Sequence, residues 1–284
     1  MRGGRRAAPG ADPGAARRSR ERGIEVTAAS PTPLARAPEI IAHRGARATH
    51  PENTLAAFAE AARLRSDGIE FDVQLSADGV PVVIHDADVH RTTGVSGKVG
   101  GLTAHELTAL DAGAWVAPRF AGERIPTLDA VLEWGAEQRL TLHIELKGGP
   151  GTPMPELSAA VVAAVERHGM VERVVLSSYD HRGLVFARER CAPLATAVLF
   201  DFGLYRPWVY AADVGAQALH CRWDWIDREL VEQASAHGIA VRGFGAETES
   251  AVGAVLGAGA SVITPRPERA RALRHAPPRR AAEG

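Results

Sequence analysis

Between Pro38 and Pro265 the chain alternates short β-rich runs with longer helical stretches, and this alternation restricts the fold more than any other feature of the sequence. The β-runs are residues 40–43, 68–75, 140–147, 173–177, 194–199, 216–221, 239–244 and 261–264. Helical periodicity fills the gaps at 53–65, 127–138, 155–168, 180–190, 227–237 and 247–256. Eight such strands, over the roughly 250 residues that such folds use, predict an α/β fold, a closed (β/α)8 TIM-type barrel. Several helices begin on a capping side chain: Asn53 or Thr54, Thr127, Asp180 and Asp227. The connection 200–215, with Pro207 and its aromatics, reads as irregular.

One β-run breaks the parallel order. Residues 82–85 follow the second strand after Ser76-Ala77-Asp78-Gly79, too short a link for a parallel crossover. An Asp-Gly turn between alternating runs signals a hairpin, so the second strand extends past the barrel rim and folds back. Symmetric pairing sets Pro81 opposite Leu75 and Val83 opposite Val73, and it delivers His85 to Phe71 and Asp72. The chain then makes an excursion over 87–124 containing one helical stretch, 104–110; long loops at a barrel rim usually cover a site.

The acid and base residues lie on the early strands. In the second strand Ile69, Phe71 and Val73 alternate with Glu70, Asp72 and Gln74; in the third, Leu142, Ile144 and Leu146 alternate with His143, Glu145 and Lys147. The apolar set packs outward on helices, which points the ionisable set at the barrel axis. Carboxylates converging on one axis repel unless a cation or a proton is shared among them. Glu70, Asp72 and Glu145 therefore read as oxygen ligands for one hard divalent cation, Mg²⁺ or Ca²⁺, or else as partners of nearby Arg and Lys in a structural network. The chain has 31 Arg and only two Lys, Lys98 and Lys147, so a compact ammonium beside Glu145 suits a phosphate oxygen or a shared carboxylate. His43-Arg44 ends the first strand on the rim where barrel enzymes keep their sites, pairing a proton-transfer group with an anion clamp. His143, one step deeper than Glu145, reads as a core histidine.

Composition removes other classes. The ends are Arg-rich: residues 1–37 carry eight Arg against Asp12, Glu21 and Glu25, yet the whole chain has a net charge of −1, so the middle is acidic and poorly suited to nucleic acid. The segment 1–37 lacks hydrophobic periodicity and reads as a disordered tail, with a barrel over 38–270 and a flexible tail over 271–284. No run is long and apolar enough to span a membrane, and 1–37 lacks the apolar core of a secretory signal, giving an expectation of a cytoplasmic protein. Cys191 and Cys221 form no metal or redox motif.

The ordered motifs His43-Arg44-Gly45, Pro51-Glu52-Asn53-Thr54, Ile69-Glu70-Phe71-Asp72-Val73, Asp78-Gly79 then Val82-Val83-Ile84-His85-Asp86, Ile125-Pro126-Thr127-Leu128 and Ile144-Glu145-Leu146-Lys147 resemble the glycerophosphodiester phosphodiesterase family over about 40–267. The resemblance implies a metal-dependent enzyme that hydrolyses a small glycerophosphodiester to glycerol 3-phosphate and an alcohol. By it Glu70, Asp72 and Glu145 bind the divalent metal, His43 and His85 act as acid and base in an order left open, and Arg44 and Lys147 hold the phosphate. Two departures stand out. Phe244-Gly245 replaces the family's usual Trp-Thr, and Thr264-Pro265 its Thr-Asp; the first removes an indole and a hydroxyl that would shape the alcohol pocket. Longer lipids at an apolar mouth built from Trp115, Phe120, Trp208, Trp223 and Trp225 are the alternative substrate, and a phosphate-binding barrel without catalysis is the alternative class.

Overall fold

The alternating runs close into a barrel in the computed structural model, which describes residues 37–149 and 151–275 together with 1, 3 and 4. In chain order the elements are β1 (Ile40–His43), α1 (Leu55–Arg63), β2 (Gly68–Leu75), β3 (Pro81–Val83), α2 (His90–Thr93), α3 (Ala104–Thr108), α4 (Leu128–Ala136), β4 (Thr141–Leu146), α5 (Met154–Arg167), β5 (Val174–Ser178), α6 (His181–Arg190), β6 (Ala195–Phe200), α7 (Pro207–Val214), β7 (Ala218–Arg222), α8 (Arg228–Ala236), β8 (Ala240–Phe244), α9 (Glu249–Ala258), β9 (Ser261–Thr264) and α10 (Pro267–His275). Eight of the strands pair in parallel around the ring β1-β2-β4-β5-β6-β7-β8-β9, and β9 returns to β1. The expected (β/α)8 TIM-type barrel is the fold.

Alternation decides which residues face which layer. Ile69, Phe71 and Val73 of β2, and Leu142, Ile144 and Leu146 of β4, are fully buried in the layer between sheet and helices. Phe71 meets Phe58 of α1 at a ring separation of 5.4 Å, so this face points outward and Glu70, Asp72 and Glu145 are left facing the axis. Each fully buried side chain of this size contributes about 1.5–3 kcal/mol of transfer free energy, enough to forbid the one-residue slip that would turn the carboxylates into the helix layer. The β2–β4 register sets Asp72 beside Glu145 and Glu70 beside His143, and the β1–β2 register sets His43 beside Glu70.

The hairpin forms in the expected register. Antiparallel β3 pairs Val83 with Val73, Val82 with Gln74 and Pro81 with Leu75. Its return leads into 87–124, which is more helical than the sequence indicates: besides α3 it contains α2, whose single turn carries Arg91. This segment has an apolar centre of its own in Val89, Val99, Leu107 and Ala112, packed on Val82, Ile84 and Ile125.

Helix starts follow the caps read from sequence. Thr54 rather than Asn53 caps α1, accepting from the Ala57 amide at 3.3 Å, and Thr127, Asp180 and Asp227 cap α4, α6 and α8. Two expectations are corrected. The connection 200–215 is not irregular, because α7 occupies half of it. Pro207 sits in the first turn, where its missing amide hydrogen costs nothing, and Gly215 closes the helix in a left-handed conformation. The barrel unit also does not end at 270: α10 runs to His275, and Arg274 donates to the Pro38 carbonyl (3.0 Å) and pairs with Asp67, tying this helix to the start of β1. The tail expected over 271–284 therefore begins inside a helix, and its remainder lies outside the described residues.

No helix among the described residues is long and apolar enough to cross a membrane. The segment 1–37, on which the cytoplasmic expectation rests, lies almost wholly outside the described residues. Cys191 and Cys221 are both free and buried.

Candidate active site

All seven residues singled out from sequence meet at the C-terminal rim. Glu70, Asp72 and Glu145 offer one carboxylate oxygen each, all within 4.8 Å of one another. Asp72 is the most buried of them, at 1% exposure, and its two oxygens are treated differently. Oδ2 accepts a hydrogen bond from Asn53 Nδ2 (2.8 Å) and lies 3.2 Å from Arg44 Nε. Oδ1 lies 3.5 Å from Lys147 Nζ but has no hydrogen-bond partner among the described residues, and a buried carboxylate oxygen without one is costly. Lys147 instead hydrogen-bonds Glu145 at 2.8 Å.

The electrostatics of the trio are unbalanced. Burial, then repulsion from Asp72 and Glu145, raises the Glu70 carboxyl well above its ordinary range. Burial and Asp72 raise Glu145 to about 7, against the attraction of Lys147. Burial alone would raise Asp72 too, but Arg44 and Lys147 outweigh it and hold this group low. Three converging carboxylates, one of them with a buried oxygen left unpartnered, are the donor set of a hard divalent cation, and these residues fit one.

The loop after β1 is held in a costly conformation. Arg44 (φ 54°) and Gly45 (φ 79°) are successive left-handed residues, and Asn53 (φ 57°) is another. A side chain at position 45 would strike the backbone of Ala57 at 2.7 Å, so only glycine lets this loop lie against α1. Such non-glycine conformations cost of order 1–3 kcal/mol each and persist where the surroundings over-determine them. Here they do: the Arg44 amide donates to Glu70 Oε2 (3.3 Å), its guanidinium donates to Glu52 (2.9 Å), and Asn53 is fastened to Asp72.

His43 Nε2 lies 3.7 Å from Glu70 Oε2, and its Nδ1 accepts from Arg47 Nε at 3.3 Å. Burial, followed by Arg44 and Arg47, pushes the His43 pKa well below its ordinary value, so the contact with Glu70 joins a neutral ring to a carboxyl and is no ion pair. His85 comes in on the hairpin, and its Nδ1 lies 2.6 Å from Asp86 Oδ1. Asp86 is held down to about 2, chiefly by the hydrogen bond from Arg91, which outweighs its partial burial, with His85 adding to the effect. Arg91 also forks onto Glu52 (3.0 and 2.7 Å), so Arg44, Glu52, Arg91, Asp86 and His85 form one continuous chain.

Several residues around the site carry no role in it in the sequence reading: Arg47, Glu52, Asn53, Gln74, Asp86 and Arg91. Glu52, Asn53 and Asp86 stand inside the quoted motifs, which is the signal that would have found them. Gln74 is the third inward residue of β2, and its Nε2 donates to the carbonyls of Ile84, His85 and Asp86 at 2.8–3.1 Å. It pins the backbone that delivers His85. Gln74→Ala is expected to lower kcat about tenfold while leaving divalent-ion binding unchanged, read by parallel kinetics and thermal shift; unaltered turnover would show that the hairpin holds itself. His143 is a floor residue, as expected: it is fully buried, 5.6 Å from the His220 ring, and neutralised by burial and by Arg242. Of the aromatics considered for an apolar mouth, Trp115 and Trp225 are half exposed, whereas Phe120 is buried and Trp208 and Trp223 pack on the core.

Residues 43–269 match the model of the glycerophosphoryl diester phosphodiesterase family. A glycerophosphodiester phosphodiesterase of Caldanaerobacter subterraneus is 38% identical over 230 residues, which are 81% of this chain and 94% of that protein. One from Bacillus altitudinis is 31% identical over 240 residues, covering 83% and 98%. Among solved structures, an Oleispira antarctica phosphodiesterase in complex with the product sn-glycerol-3-phosphate superimposes with a TM-score of 0.78 at 29% identity, covering 84% of this chain and 96% of that one. A phosphodiesterase structure from Silicibacter pomeroyi gives 0.77 at 28% identity, covering 84% and 93%.

Proposed function

The chain belongs to the glycerophosphoryl diester phosphodiesterase family, and from that footing we propose that Glu70, Asp72 and Glu145 hold the divalent cation on which its hydrolysis of glycerophosphodiesters to glycerol 3-phosphate and an alcohol depends. The protein is a phosphoric diester hydrolase with a small-molecule substrate. The observation that carries the metal reading is the convergence of three carboxylates within 4.8 Å, one of which, Asp72, keeps an unpartnered buried oxygen. When bound, the cation polarises a phosphoryl oxygen and offsets the charge that develops there.

The protein's own groups do the rest. Lys147 donates to Glu145 and lies 3.5 Å from Asp72, which leaves it free N–H donors for a phosphate oxygen. Arg44 spends Nη1 on Glu52 and sets Nε against Asp72; its Nη2, with no protein acceptor among the described residues, serves as the second phosphate donor. Asn53 keeps Asp72 from rotating. His43 and His85 flank the cluster, and between them they supply the hydrogen bonds and proton transfers that activate the nucleophile, water or the neighbouring glycerol hydroxyl, and that protonate the departing alcohol.

Incubation with glycerophosphocholine, followed by phosphorus NMR, tests the reading. The expected product is glycerol 3-phosphate, with choline released. Formation of phosphocholine would put the scission on the wrong side of phosphorus, and ligand binding without turnover under any divalent ion would leave a binding barrel. Exposed Trp115, Phe202 and Trp225 on loops of the mouth favour a second, wider substrate class with an apolar alcohol. A lysophospholipid cleaved faster than glycerophosphocholine would select that class.

A further inference from the structure

A groove of about 720 Å³ opens beside the carboxylate cluster, where the loop between β4 and α5 meets α6 and α7. It starts next to Lys147. Gly148, which lines it, follows Lys147 directly in the chain, and a side chain there would come within 2.6 Å of Asp180 Cβ, so only glycine lets the end of β4 lie this close to the start of α6. Tyr179, on the same edge, is two residues beyond Ser177, which the β4–β5 register sets beside Glu145. From this edge the groove continues along α6 and α7, past Val185 and Tyr210 to Val214 at the end of α7.

The polar side chains on the α6 wall are engaged with one another. Asp180 accepts from Arg182 Nε (2.9 Å), Arg182 Nη2 (2.6 Å) and the Arg182 amide (3.2 Å). His181 is bonded at both ring nitrogens, to the Tyr210 hydroxyl at 2.9 Å and the Leu199 carbonyl at 3.0 Å. A wall whose charges and hydrogen bonds are already matched has little to hold a sugar or a second phosphate. What it presents instead is hydrocarbon. Tyr179, Val185 and Tyr210 are 45%, 39% and 39% exposed, with the half-buried Val214 behind them. Single exposed apolar side chains are ordinary, but several sharing one concavity mark a binding surface.

We propose that this groove holds an aliphatic chain carried by the substrate, entering past Gly148 and Tyr179 and lying between α6 and α7 over Val185 and Val214, so that chain-bearing phosphodiesters are cleaved with a higher kcat/KM than short ones. The inference rests on the phosphodiesterase reading, with Lys147 at the phosphate, and gives chain-bearing substrates a binding surface apart from the aromatic loops of the mouth. The chain is held away from phosphorus, so it steadies ground state and transition state alike and its effect falls on KM. A groove open to solvent on one side covers about half of each methylene, which is expected to raise kcat/KM about twofold per methylene until the groove is full.

The test uses the full-length protein with Mg²⁺ present and two substrate series, each kept below its micelle concentration. Choline release is followed from glycerophosphocholine and from 1-acyl-glycerophosphocholines of increasing chain length, and alcohol release from glycerophospho-alkanols of matching lengths. The first series carries the chain on glycerol and the second on the leaving alcohol, so a rise in one alone tells which of the two enters the groove. Val185→Glu puts a carboxylate in the groove at an exposed helical position, where glutamate is the better helix former and folding is unharmed. It is expected to flatten the rise and to leave turnover of glycerophosphocholine within about twofold of wild type. Two flat series in a wild-type protein that hydrolyses glycerophosphocholine overturn the proposal, and so does the same slope in Val185→Glu. Calorimetric titration with decyl phosphate needs no turnover: it should bind wild type at least about tenfold tighter than glycerol 3-phosphate, with that advantage lost in Val185→Glu. Equal affinities overturn the groove even in a protein that hydrolyses nothing. Tight decyl phosphate binding by a protein inactive on every diester would uphold the groove and count against the phosphodiesterase reading instead.

Discussion

His85→Ala is expected to slow turnover of glycerophosphocholine by about 10²–10⁴, the range spanned by loss of a positioned general acid or base. The size of the effect follows from how much of the fold serves to place this ring. Three carbonyls around it are held by Gln74, its Nδ1 is held by Asp86, and Asp86 is held by Arg91, which is anchored in turn on Glu52. The three carboxylates do not depend on His85, and the thermal shift produced by a divalent ion should survive the substitution. A loss of less than tenfold in kcat, with that shift intact, would remove His85 from the proton path. Loss of the shift together with activity would mean that the hairpin, and not the ring alone, had been disturbed.

The parts of this site legible in the sequence are those written by short-range rules. Period-two alternation in residues 68–75 and 140–147 put three carboxylates on one face, and a single Asp-Gly turn carried enough information to fix the register of β3 and so the location of His85. The parts that were not legible depend on contacts between distant segments. Nothing local to Arg47 points to Glu247, and nothing local to Glu52 points to Arg91, 39 positions on. Arg91 itself sits in a single helical turn, stabilised by the apolar centre of 87–124 more than by its own propensity, and a turn that short leaves no periodic trace. The helix α7 is illegible for a related reason. Pro207 among aromatics reads as an irregular link, although at the first turn of a helix the same ring is a start signal.

Chelation should abolish activity, and the contribution of Glu145 to the stability of the metal-free protein should then fall as pH rises. The sign follows from Glu145, whose carboxyl is raised from 4.5 to about 7 in the folded chain. Between those values the native state holds a proton on Glu145 that the unfolded chain has lost, so this group's contribution decreases with pH through the window and its whole penalty is present above about 7. Glu70 is displaced in the same direction for the same reason, burial beside like charges. A divalent ion replaces the shared proton as the positive partner of these groups and must displace protons to bind. The rise in melting temperature on adding Mg²⁺ or Ca²⁺ is therefore expected to be small near pH 5 and large near pH 8, with hydrolysis returning over the same ion concentrations. Glu145→Gln removes one source of repulsion. It should make the metal-free protein more stable than wild type at pH 8, yet weaken the ion's effect and abolish rescue of activity. Undiminished hydrolysis in excess EDTA, or an ion-induced shift that is the same at both pH values, would take the cation out of this cluster and leave the three carboxylates as a structural network with Lys147 and Arg44.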